Sequence, residues 1–212
     1  MILNTVVAII IGYLLGSIPS AYIAGRLKKG VDIRKVGGGN VGALNVIREI
    51  GWHAGSLVLF ADIGKGILAV LIAKWLNLCL PWVLVAGFAA VVGHNWPIFL
   101  KFRGGKGGAT LMGVLLALVP LEFLSAFGIT AIVVIITSNP ALGMAIGVIF
   151  VPLFAWWYNG SGTLIGYTIF LALFVAARFI ISGLRRTSED TDIKKGLIFS
   201  KEYHFWQVKK NQ

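Results

Sequence analysis

Acidic side chains, histidine and cysteine are scarce in this chain, and each shortage removes a class of explanation. A single cysteine, Cys79, excludes an internal disulfide and also the multi-cysteine sites that hold structural zinc. Only eight residues are acidic against 19 lysines and arginines, a formal net charge of +11, yet charged residues of both signs make up just 13% of the chain. In a soluble domain such an excess of base would point to nucleic acid. Here it reads as basic loops on the cytoplasmic face of a membrane, with no nucleic-acid partner. The N-terminal apolar segment has no basic residues before it. Arg26, Lys28 and Lys29 come after it, which argues against a cleavable signal peptide and for a retained first helix.

What the chain does have is apolar length. Hydrophobic residues make up 58% of it and the mean hydropathy is +0.87, the composition of a polytopic membrane protein. The runs predict a first helix over Ile2–Gly25, kinked at Pro19, with Gly12, Gly16, Ser20 and Ala24 four apart on one face for close packing. A second helix follows over Ala54–Leu78 and a third over Pro81–Leu100. Later ones cover Ala141–Trp157 and Thr163–Ser182. The stretch Ala109–Thr137 would span about 43 Å as one helix, more than the roughly 30 Å hydrocarbon core, and Pro120 offers a place to divide it.

Charge decides between one helix and two. With a division at Pro120, every lysine and arginine except Lys65 and Lys74 falls on one side of the membrane. The expected fold is therefore all-α, a polytopic helix bundle of about seven transmembrane helices with the N-terminus outside and the C-terminus cytoplasmic. Trp75, Trp82, Trp156 and Trp157 then mark the outer boundary and Trp52 and Trp96 the inner one. Residues 1–182 form the membrane domain, and 183–212 a basic cytoplasmic tail whose Tyr203, Phe205 and Trp206 suit a membrane surface.

Two polar loops interrupt this apolar background. The first, Val36–Arg48, reads VGGGNVGALNVIR; the second, Lys101–Gly108, reads KFRGGKGG. Gly37, Gly38 and Gly39 allow backbone N–H groups to converge on an anion, Asn40 and Asn45 add amide donors, and Arg48 adds a planar fork that matches phosphate. The second loop brings Lys106, with Lys101 and Arg103 nearby. It lacks the four-residue spacer of a nucleotide-binding P-loop and no strand precedes it, so a nucleoside triphosphate is not the expected ligand. Asp62 and Lys65, three apart on the second helix, either pair with each other or belong to the site. His94 is the one histidine near the loops: a candidate base, or a ring hydrogen-bonded to a backbone carbonyl at the helix end. A phosphate pocket at bilayer level points to a phosphorylated small molecule meeting a lipid-borne substrate. A transporter or lipid-binding protein is the alternative, although no internal repeat relates the two halves.

The segments GSIPSAYIAGRL, GGGNVGALNVIREIG, DIGKG and GHNWPIFLKFRGGKGGATLMG together resemble the bacterial acyl-phosphate:glycerol-3-phosphate acyltransferases over about Gly12 to Val114. The resemblance implies an integral enzyme of the bacterial cytoplasmic membrane, without cofactor or metal. Such an enzyme moves a fatty acyl group from acyl phosphate to the first hydroxyl of glycerol 3-phosphate and gives lysophosphatidic acid. Joined to the reading of the loops, which supplies Gly38, it assigns phosphate binding to Gly37, Gly38, Gly39, Asn40, Gly42, Asn45, Gly104, Gly105, Gly107 and Thr110. It assigns catalysis to Arg48, His94 and Lys106. The chain departs from the family pattern at Gly38 (serine), Leu44 (threonine), Pro140 (a serine near that position) and Phe179 (histidine after Arg178). These losses allow a second reading, a catalytically weakened relative that binds phosphate ligands or phospholipid.

Overall fold

A computed structural model describes residues 1–158 and 160–187, with the side chains at 141 and 183–187 left aside. Most of the tail, residues 188–212 including Tyr203, Phe205 and Trp206, lies outside the described residues, as does Asn159 in the turn before the last helix. Among the described residues the fold is helical without strands. The helices are α1 (Ile2–Ser17), α2 (Ser20–Lys29), α3 (Ala43–Glu49), α4 (Trp52–Trp75), α5 (Leu80–Asn95), α6 (Gly108–Leu118), α7 (Pro120–Thr137), α8 (Pro140–Tyr158) and α9 (Gly162–Thr187). Single 3-10 turns occur at Ile33–Lys35 and Ile98–Leu100.

Five apolar segments are long enough to cross a bilayer: Ile2–Lys29, Trp52–Trp75, Leu80–Leu100, Pro120–Thr137 and Gly162–Ser182. Two shorter apolar helices, Gly108–Leu118 and Leu142–Tyr158, accompany them. Their outward surfaces are apolar, as lipid contact requires: Phe60, Leu71, Ile135 and Ile149 are exposed, and so are Trp52, Trp75, Trp82, Trp156 and Trp157.

The chain divides into two compact units, Met1–Leu118 and the part from Val119 onward. In the first unit, α1 lies against α5 through glycines. A Cβ on Gly12 would come 2.5 Å from the Ala86 carbonyl oxygen, and one on Gly16 would strike the Ala90 carbonyl. The four-residue stripe of small side chains thus does what its spacing implies. The same device joins α4 to α6, where Gly66 meets the Thr110 carbonyl and Gly113 the Ile63 carbonyl.

The first apolar segment is not one kinked helix. Ile18 is extended (φ −58°, ψ 117°) because it precedes Pro19, so α1 ends at Ser17 and α2 starts afresh at Ser20. Pro120 does divide Ala109–Thr137, being the first residue of α7.

In the second unit α7 packs on α8 and α8 on α9. The junction of α7 and α8 is built from Ser138 and Asn139. Ser138 ends α7 in the left-handed region (φ 52°), and the Asn139 side chain accepts from the Leu142 N–H at the start of α8. Pro140 is α8's first residue, where its missing N–H costs nothing.

Candidate active site

Both glycine loops belong to the first unit and meet there. The first begins where α2 stops: Gly30 takes a left-handed conformation (φ 66°), its N–H closing on the Arg26 carbonyl, and Arg26, Lys28 and Lys29 sit at the negative end of the helix. Asp32 then anchors Arg34. One carboxylate oxygen accepts from the Arg34 backbone N–H and from Nε, each at 3.0 Å, and the other accepts from Nη2 at 2.7 Å. This bidentate bond holds the Asp32 carboxyl down to about 2 from its ordinary 3.8 and raises the already high pKa of the guanidinium. The Arg34 guanidinium also lies 5.3 Å from the centre of the Tyr22 ring, and Nη1 donates to the Leu100 carbonyl at 3.5 Å. Arg34 therefore ties the first loop to the second.

Asn45 organises the loop from within. It is buried in α3, and its amide nitrogen lies 3.0–3.2 Å from the carbonyls of Ile33, Val36 and Asn40, while its Oδ1 accepts from the Gly38 N–H at 3.1 Å. Gly39 N–H is bonded to the Val36 carbonyl. In this structure Asn45's amide and two of the three glycine N–H groups, expected to face a ligand, bond within the loop itself. Gly37 (φ 54°) and Gly39 (φ 64°) are left-handed, and a Cβ at Gly37 would press on Asn45 Oδ1. Gly38 is not in the left-handed region, which fits a position where the family pattern carries serine. Gly42 caps α3, with Asn40 packed beside it, and Arg48 lies half-buried in that helix's last turn.

The second loop folds back onto the end of α5. Gly104 N–H bonds to the Asn95 carbonyl and Gly105 N–H to the His94 carbonyl, two acceptors the helix leaves unpaired at its terminus. No side chain fits at Gly105: a Cβ would meet the His94 imidazole at Nε2 and come 2.5 Å from the Val41 carbonyl of the first loop. Here the two loops touch. Lys106 follows, 9% exposed, then Gly107 at φ 86° against the Asn95 amide, and Thr110 is fully buried in the first turn of α6.

Outside this junction opens a cleft of about 810 Å³ lined by residues of both loops: Gly39, Val41 and Gly104, with Arg34, Lys35, Lys101 and Arg103 as its cations and Tyr22 and Phe99 as its rings. Its size suits a small phosphorylated ligand. The structure thus brings the two loops together as expected. It lines the cleft with Arg34, Lys35 and Tyr22, which sequence reasoning passed over, and leaves Arg48, His94 and Lys106 outside the lining. Lys101 and Phe102 are both left-handed without being glycine (φ 54° and 60°), a strained turn of the kind found at functional sites.

Asn95 was also passed over. It is 1% exposed, and neither its amide nitrogen nor its oxygen has a hydrogen-bond partner among the described residues. The signal was available in GHNWP, a polar pair closing an apolar helix.

Behind the loops lies a buried ionic group. Asp62 and Lys65 are paired at 2.8 Å, and Asp62 also accepts from Ser20 Oγ at 2.9 Å. His94 Nδ1 is 3.7 Å from the same Asp62 oxygen. His94 therefore faces a carboxylate on one side and Gly105 on the other. No group of metal-ligating side chains occurs among the described residues.

Comparison with known proteins shows the family. The family model described as glycerol-3-phosphate acyltransferase matches residues 6–187. Glycerol-3-phosphate acyltransferase 1 of Dehalococcoides mccartyi is 40% identical over 90% of this chain and 94% of its own length. The glycerol-3-phosphate acyltransferase of a Thermoanaerobacter species is 41% identical over 90% and 96%. Among solved structures, the glycerol 3-phosphate form of PlsY (YgiH), an integral membrane glycerol 3-phosphate acyltransferase, superimposes with a TM-score of 0.79 at 33% identity, covering 87% of this chain and 92% of that one. The lysophosphatidic acid form gives 0.77. With its apolar spans and two interlocked glycine loops, the chain is a multi-pass membrane protein and belongs to the glycerol-3-phosphate acyltransferase family.

Proposed function

We propose that the protein transfers a fatty acyl group from acyl phosphate to the 1-hydroxyl of glycerol 3-phosphate, giving lysophosphatidic acid and inorganic phosphate. The observation that carries this is the cleft between the two loops, in which four cations and only one acid meet glycine backbone beside the apolar surface of the spans. Acyl phosphate is a mixed anhydride, so the reaction needs orientation and charge stabilisation more than a strong base. The glycerol oxygen bonds to the acyl carbon, the bond from that carbon to the phosphate oxygen breaks, and the electron pair leaves with phosphate, which takes the hydroxyl proton.

In this reading the cleft's Arg34, Lys35, Lys101 and Arg103 draw in the phosphate, and Arg48 and Lys106, on the same two loops but outside the cleft's lining, hold charge at the reacting end. The N–H groups of Gly37, Asn40, Gly42 and Gly107, which have no protein acceptor among the described residues, complete the cradle. Thr110 and the backbone of Gly104 and Gly105 shape its floor. Asn45 and Gly38 fix the loop from inside. His94 supports the second loop, its ring being turned onto Gly105 and Asp62. The seven apolar segments cross the bacterial cytoplasmic membrane, with α6 and α7 as separate crossings, the N-terminus outside and both loops cytoplasmic. This is the arrangement that gathers the basic residues on one side.

Purified protein supplied with labelled glycerol 3-phosphate tests the donor. Lysophosphatidic acid and phosphate should form in equal amounts from acyl phosphate and not from an acyl thioester. Product from the thioester alone contradicts the proposal.

A further inference from the structure

The buried charges of α4 have an evident bland explanation: inside a membrane protein an aspartate and a lysine neutralise each other. Their surroundings go beyond that. Lys65 Nζ, besides pairing with Asp62, donates to the Ile18 carbonyl at 3.2 Å, at the break before Pro19. Asp62 takes Ser20 Oγ from the first turn of α2, so the pair grips both sides of the break. From the other direction Asp62 faces His94 Nδ1, whose ring ends against Gly105. Ser17, Ser20, Asp62, Lys65 and His94 surround a cavity of about 10 Å³, the room one water needs, and Ser17 Oγ is buried there with no hydrogen-bond partner among the described residues. A continuous set of contacts therefore runs from the break in the first span, through Asp62 and His94, to the residue before Lys106.

We propose that Asp62 and Lys65 are positioning residues for acyl transfer, acting through His94 to set the place of the loop that carries Lys106. The proposal rests on the acyltransferase reading of that loop. A pair that served only to cancel charge could be replaced by neutral side chains without consequence, since removing both members of a buried ion pair is commonly neutral for folding whereas removing one is not. A pair that holds His94 cannot.

The test is therefore the double variant Asp62→Asn/Lys65→Met, made in the wild-type and His94→Gln backgrounds. Each protein is checked for melting temperature, and kcat and KM for glycerol 3-phosphate are measured with acyl phosphate as donor. The expected result is a folded double variant with kcat lowered about 10-fold or more and KM within about 2-fold, because a displaced Lys106 loses contacts to the charge developing on the leaving phosphate. In the His94→Gln background the same double change should then lower kcat no further, as groups acting as one unit are non-additive. A double variant with wild-type kcat, or an effect that multiplies with that of His94→Gln, overturns the positioning role. If the neutral pair does not fold, the reversed pair Asp62→Lys/Lys65→Asp keeps the ion pair but turns a cation toward His94. It should fold and be slow, and full activity there overturns the role equally. A wild-type protein that makes no lysophosphatidic acid overturns the acyltransferase reading, and the proposal with it.

Discussion

The two glycine loops look alike in sequence and are built in opposite ways. Gly37–Gly42 is closed on itself: Asn45 threads its amide through three carbonyls and one N–H, and the left-handed glycines serve that internal network. Gly104–Gly107 is bonded to a helix end, through the Gly104 and Gly105 N–H groups. It is laid on the carbonyl end of α5: the His94 ring and the Val41 carbonyl occupy the space a side chain would need at Gly105, the His94 carbonyl and Pro97 that at Gly104, and the Asn95 amide that at Gly107. The first loop is stiff by its own hydrogen bonds, the second by what it rests on. Glycine clusters that invite one label, phosphate cradle, thus divide into a self-supporting turn and a contact surface.

Substitutions can break this contrast apart. The largest effect is expected at Gly105→Ala, whose methyl must displace His94 or Val41; a shift of the Lys106 loop by even 1 Å should cut lysophosphatidic acid formation about 100-fold. Next comes Asn45→Ala, which strands several buried polar groups of the first loop and should cost about 3 kcal/mol of stability, read from unfolding in detergent.

A smaller, pH-dependent effect is expected from Asp32→Asn. Asp32's pKa is lowered on folding, so its contribution is full above about pH 4 and is lost as pH falls toward about 2. Wild type should therefore be the more stable protein at neutral pH and the two should converge in strong acid. The mildest change is Gly38→Ser, at a position free of positive φ. It should alter stability by less than about 0.5 kcal/mol and, by restoring a hydroxyl donor, raise the rate up to about 10-fold.

Much of the scaffold was readable in advance because it follows from local rules. Pro120 had to start a helix or stop one, the stripe of Gly12 and Gly16 had to meet a neighbour closely, and Asp62 and Lys65 three apart had to share a side. The first segment was misread as continuous because a kink and a full break at Pro19 have the same sequence. At the break the Ile18 carbonyl, freed from the helix, accepts from Lys65, 47 positions away, a partner no local pattern reveals.

The site was readable in its parts and not in its wiring. Topology and charge gathered the two loops on one side, yet nothing local told that Asn45 would turn inward, that Arg34 would be fixed by Asp32 and Tyr22 at the cleft, or that Asn95 would be buried beside Gly107. Each of these depends on which carbonyls and rings tertiary packing delivers.

The central claim is that the two loops together form an acyl-transfer site in which Lys106 holds phosphate charge. The most direct measurement is the initial rate of lysophosphatidic acid formation from acyl phosphate and glycerol 3-phosphate by wild type and by a folded Lys106→Ala variant. The account predicts a clear wild-type rate that falls at least about 100-fold in the variant, as loss of a charge-stabilising donor does. Equal rates in the two proteins would contradict it.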